Sequence, residues 1–142
     1  MKYNLILTGA MLITSMLLSA CSEATITLQD IPVHPKSGEN VADTFSAASP
    51  PEDQYSGFDV TGTNVYVIRN SDLTELSIDD FYQKELTDLG WEPGESTMYL
   101  NAQAGAFCVS QPWSKGLQII YLAACPHPVQ AAIILSVVLL TK

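Results

Sequence analysis

Few side chains in this 142-residue chain are of types that do chemistry: three cysteines (Cys21, Cys108, Cys125), two histidines (His34, His127) and 15 carboxylates. Cys108, Cys125 and His127 are zinc ligands by type, but Cys125-Pro126-His127 matches no ligand spacing and a fourth donor is missing, so no metal site is predicted. Both histidines sit beside prolines and read as surface-loop residues. Gly-x-Ser-x-Gly, His-Glu-x-x-His and a glycine-rich phosphate loop are all absent. No carboxylate lies in an apolar run that would raise its pKa toward acid–base work. The expectation is a protein without a catalytic residue or cofactor. Trp113, in the segment Gln111 to Gly116, is a candidate partner contact if it tops a hairpin; otherwise it packs over the end of a sheet.

Cys21 stands apart from the other two cysteines. Before it come Lys2, an apolar stretch from Leu5 to Leu18, and the small residues Ser19 and Ala20, the three parts of an export signal over residues 1–20. A membrane helix would need about 20 apolar residues, more than this stretch supplies, and an ordinary secretory signal would not need the cysteine. The run Leu18-Ser19-Ala20-Cys21 resembles the lipobox of bacterial lipoproteins at all four positions. The resemblance implies cleavage before Cys21, a diacylglycerol on its thiol and, in Gram-negative species, a further acyl chain such as palmitate on the new amino group. Two or three chains anchor a protein stably where one does so only marginally. Ser22 at the next position implies sorting to the outer membrane, facing the periplasm, if the source is Gram-negative.

These residues need elements to position them. Residues 21–54 carry four prolines and many polar residues and read as a lipidated N-terminus and tether, with short extended pieces at Thr25–Leu28 and Ile31–Pro35 and a mobile loop over 43–54. Residues 55–142 read as one domain. A strand spans 58–69 with a bulge at Gly62; a helix begins at the cap Ser77 and ends at Gly90 with Trp91 in a Schellman arrangement. Ile78, Phe81, Tyr82, Leu86 and Leu89 form its apolar face. Strands follow over 97–100, 106–110, 117–122 and 131–140, the last being too short to span a membrane. The predicted fold is α+β, one helix packed on an antiparallel meander of four to five strands.

The pattern Ile31-Pro32 with Pro35, then Phe81-Tyr82, Leu86 and Gly90-Trp91, resembles small secreted or lipid-anchored bacterial domains of unassigned function. The resemblance implies a one-helix α+β fold and carries no catalytic residue. Cys108 and Cys125 are extra to that pattern, and their state is open. Export favours a disulfide between them. A hairpin turning at 111–116, however, sets Cys108 opposite Ile119 and leaves Cys125 about 20 Å away, beyond the roughly 7 Å limit for a bond.

The whole chain carries −9, which disfavours nucleic acid as a partner. Residues 22–95 hold every acidic side chain and three basic ones, a net −12, whereas residues 96–142 hold two lysines and no acid. An acid-rich solvated surface and an uncharged buried sheet account for this division. Taken together, the residues point to a lipid-anchored envelope protein that binds a protein partner or serves as an accessory subunit, through Trp113 or an uncovered sheet face. The alternative is a small-ligand-binding protein or hydrolase whose site forms only on folding.

Overall fold

The computed structural model describes residues 25–38, 55–73, 77–102 and 104–142. The leader, Cys21 and the segment read as a mobile loop over 43–54 lie outside them. Strand β1 (Asp59–Arg69) leads through a 3-10 turn to helix α1 (Ile78–Asp88), then β2 (Glu92–Pro93), β3 (Thr97–Asn101), β4 (Ala106–Lys115), β5 (Gln118–Pro126) and β6 (Ala132–Thr141). All pairings are antiparallel, in the order β1-β6-β5-β4, with β2 and β3 both on the outer side of β4. The sheet thus has six strands, one more than the expected range, because the two-residue β2 pairs beside β3 on the same edge.

The helix follows its local chemistry. Ser77 caps it, its Oγ accepting from the Asp80 backbone N–H at 3.1 Å, and Asp79 and Asp80 sit at the positive end of the dipole. Gly90 takes φ +81, its N–H bonds the Thr87 carbonyl, and the Trp91 N–H bonds the Leu86 carbonyl, which is the Schellman arrangement. Lys115, from the β4–β5 hairpin, donates to the Leu89 carbonyl at 2.6 Å and sets a cation at the negative end. Leu89 itself is 45% exposed, so the apolar face ends at Leu86, one turn earlier than its spacing predicts.

Because α1 connects one edge of the sheet to the other, it crosses a single face. There Tyr82, Leu86 and Trp91 bury against Trp113, Ile120, Leu122, Leu135 and Val137. The opposite face is buried as well. Tyr55 and Phe58 pack onto Tyr121, Val138 and Leu140, with Tyr55 and Tyr121 edge to face at 5.6 Å. The expectation of an uncovered sheet face on that side is therefore corrected. β6, paired on both sides, is buried from Ile134 to Leu140 and is an interior strand, between β1 and β5.

Two further corrections concern β4. The strand runs through Pro112 to Lys115 and turns at Gly116 and Leu117, where Gly116 takes φ +57; the predicted turn at 111–116 is too early. Pro112 is tolerated because its missing N–H faces the gap between β2 and β3, where Gly94 donates to the Pro112 carbonyl at 2.8 Å. The register then sets Val109 opposite Ala124, so Cys108 faces Cys125, not Ile119. The two cysteines form a disulfide with Cα atoms 4.4 Å apart.

Residues 25–38, expected to be tether, pack onto the domain. Ile31 and His34 are buried, the Ile26 backbone exchanges hydrogen bonds with the Gln118 side chain, and Gly38 donates to the Val67 carbonyl at 3.0 Å. Thr25–Leu28 forms no strand; a 3-10 turn over Leu28–Asp30 follows instead. Leu28 fits over Gly62, where any Cβ would collide with it; the β1 bulge falls one residue earlier than expected, at the unpaired Thr61 between Val60 and Gly62.

Candidate interaction surface

Helix α1 has 11 residues and is roughly 16 Å long at about 1.5 Å per residue. Strand β4 has 10 residues and spans roughly 33 Å at about 3.3 Å per residue. One short helix crossing the sheet cannot cover a strand of that length. Trp113, toward one end of β4, is 1% exposed beneath the helix; Phe107, on the same face at the other end, is 65% exposed.

Phe107 has company. Strand alternation puts Val109 on its face, and cross-strand pairing adds Leu100 opposite Phe107 and Met98 opposite Val109. Met98, Leu100 and Val109 are 70%, 63% and 46% exposed. The helix-side face of the β3–β4 hairpin is therefore a contiguous apolar patch, and residues 96–114 contain no charged side chain. Contiguous apolar patches of this kind are candidate interaction surfaces.

The other face of this hairpin packs on the disulfide. Tyr99 lies opposite Cys108, and its hydroxyl approaches the Cys125 sulfur at 3.9 Å, so the disulfide stands beneath the bare patch. Burial pushes the Tyr99 phenol up to about 12, with the nearby Tyr121 adding to the rise. The loop closes through Asn101, whose Oδ1 accepts from the Ala104 N–H, and through Gly105 at φ +60.

Between the patch and the start of the helix opens a groove of about 360 Å³, lined by Ile78, Asp79, Tyr82, Val109, Gln111 and Leu122 among others. Among the described residues Asp79 is its one carboxylate, and no histidine, cysteine or lysine joins it. Burial also raises the Tyr82 phenol, chiefly through loss of solvent. A tyrosine held neutral beside one exposed carboxylate makes no nucleophile–base pair.

The residues singled out by type are not brought together. Cys108 and Cys125 are consumed by their bond, so neither offers zinc a thiolate, and among the described residues no group of three His, Cys, Asp or Glu side chains gathers. His34 is not a surface residue: it is 1% exposed and packs edge to face on Phe81 at 5.0 Å. His127 lies in the β5–β6 loop, its Nδ1 accepting from the Val129 and Gln130 N–H groups. Trp113 tops no hairpin and offers a partner no surface; the hairpin tip is Gly116-Leu117. Met98, Leu100, Phe107 and Val109 were not singled out from sequence, because alternation reads the same whether or not something covers the strand. The uncharged run over 96–114 is the signal that could have drawn attention to them.

No protein-family profile, characterised protein or solved structure matches the chain.

Proposed function

We propose that this chain is a lipid-anchored protein of the bacterial envelope, held to the membrane through Cys21, which binds another protein and catalyses nothing. Facing the periplasm from the outer membrane is its place if the source is Gram-negative. The observation that carries the binding role is the apolar patch of Met98, Leu100, Phe107 and Val109 on a hairpin whose inner strand is tied to β5 by a disulfide. The lipidation role is carried by the lipobox-like run ending at Cys21. The groove has the volume of a small-molecule site, but the single carboxylate among its described residues gives the hydrolase alternative no acid–base pair.

Two experiments test this reading. Cys21→Ser in the producing bacterium should move the protein from the membrane pellet to the soluble fraction; retention in the pellet overturns the anchor. Crosslinking in intact envelopes should capture a protein with the wild type and lose it with Phe107→Asp. Capture that is indifferent to Phe107→Asp removes the patch from the proposal.

A further inference from the structure

The patch borders an open strand edge. In antiparallel pairing, residues alternate between hydrogen-bonded pairs and closer, non-bonded pairs about 4.5 Å apart at Cα. The 4.4 Å Cα separation of Cys108 and Cys125 makes theirs a non-bonded pair, so the backbone groups of Cys108 point toward β3 and pair with Tyr99. By alternation, the N–H and C=O groups of Met98 and Leu100 point away from the sheet. Among the described residues no strand pairs with that side of β3.

Exposed edges invite pairing, and proteins normally blunt them with lysine, proline, a bulge or a covering segment. The run Thr97-Met98-Tyr99-Leu100-Asn101 has none of the first three. It has another property: by residue class it reads polar, apolar, aromatic, apolar, polar in both directions. That symmetry is what a twofold contact requires, since each residue i that meets j must also be met by j.

We infer that β3 pairs antiparallel with β3 of a second copy of this chain, about a twofold axis through Tyr99. This inference rests on the proposed binding role of the β3–β4 hairpin and deepens it: the second copy doubles the apolar surface that the partner meets. Met98 faces Leu100 of the second copy and exchanges N–H···O bonds with it on each side of the axis. Tyr99 meets Tyr99, and Thr97 meets Asn101. The twofold stands perpendicular to the sheet, so both apolar patches lie on one side and merge into a single larger surface. Charge does not oppose the contact. Glu95, the nearest carboxylate in sequence, lies about 26 Å from its counterpart at roughly 3.3 Å per residue, well beyond a screening length of about 8 Å. A membrane anchor raises the effective concentration of copies, which lets a five-residue edge suffice.

The test uses two differently tagged full-length copies produced together, one carrying Met98→Cys and the other Leu100→Cys, with mild oxidation of intact membranes. Both new thiols lie on the face opposite the Cys108–Cys125 bond. The expected result is a crosslink between the two tags that is stronger than the Met98→Cys self-crosslink. Leu100→Pro in the Met98→Cys background should lower dimer captured by an amine-reactive crosslinker about tenfold, because it deletes an edge donor while leaving the β3–β4 ladder intact. Circular dichroism of that variant checks that the sheet survives. Absence of any crosslink between copies overturns the inference. If the introduced thiols instead capture a different protein, the second copy is wrong while the binding role stands; if they capture nothing, both fall.

Discussion

At the β1 edge of the sheet, residues 25–38 lie against the outer strand: Leu28 sits over Gly62, next to the bulge at Thr61, and Gly38 bonds the outward carbonyl of Val67. Charged Asp59 and Arg69 close the two ends of that strand. At the β3 edge, no described segment supplies a hydrogen bond to Met98 or Leu100, and no charge or proline interrupts the strand. The same contrast runs along β4, where the helix buries Trp113 and leaves Phe107 bare. Among the described residues, one side of this molecule is finished by its own chain, and the other is built firmly but left open. A disulfide directly behind the open side ties β4 to β5, so the inner strand of the hairpin is held to the sheet without anything packing on its front.

The covered end should fail most when cut. Trp113→Ala removes the largest fully buried side chain beneath α1, and a loss of about 3–5 kcal/mol is expected from urea unfolding. A loss below about 1 kcal/mol would mean that the helix is not seated on β4 as described. Next in size is the brace. Replacing both Cys108 and Cys125 with serine opens a link between positions 17 residues apart and should cost about 3 kcal/mol. Hydrogen exchange should then accelerate in β3 and β4 while β1 and β6 keep their protection; uniform loss across the sheet would contradict a local brace.

Gly62→Ala addresses the finished edge. The added methyl collides with Leu28, so either that side chain moves or residues 25–38 lift from β1, at about 1–3 kcal/mol. Exchange at the Gly38 amide reports which. If the segment lifts, β1 gains a bare edge and self-association through it should rise; unchanged exchange would show that Leu28 simply yields.

A smaller effect follows pH. The Tyr99 phenol is pushed up to about 12 from 10.0, mainly by burial, and Tyr82 is raised in the same direction. The folded protein therefore retains protons that the unfolded chain gives up. This stabilisation is complete below about pH 10, and stability falls as pH rises through the interval up to about 12. Tyr99→Phe should flatten the decline of the melting temperature in that range; an unaltered slope would assign the whole effect to other tyrosines.

What could be read from sequence depended on how local the determinants are. Ser77 and Gly90-Trp91 fix the helix ends through bonds within a few residues, and those ends lie where the residues imply. The disulfide needs the register of β4 on β5, which depends on where one turn falls. Pro112 reads as a turn residue until it is known that its missing N–H faces a gap in the edge strand. His34 reads as a loop residue because its burial comes from Phe81, some 47 positions along the chain. The bare patch is the least legible feature: alternating apolar residues state that a strand has an apolar face, and the helix length and crossing point decide what remains uncovered.

The smallest expected change in stability is also the sharpest comparison. Phe107→Ser replaces a large aromatic on β4 six positions from Trp113, on the same face, and should alter unfolding free energy by no more than about 0.5 kcal/mol. The reason is that Phe107 gains little from folding: its side chain stays 65% in water in the monomer. Urea unfolding of the detergent-solubilised protein at low concentration measures this. A cost approaching that of Trp113→Ala would mean that Phe107 is already covered in solution. If the cost instead grows with protein concentration, its cover is a second molecule, because only an associating species transfers binding energy to apparent stability by mass action.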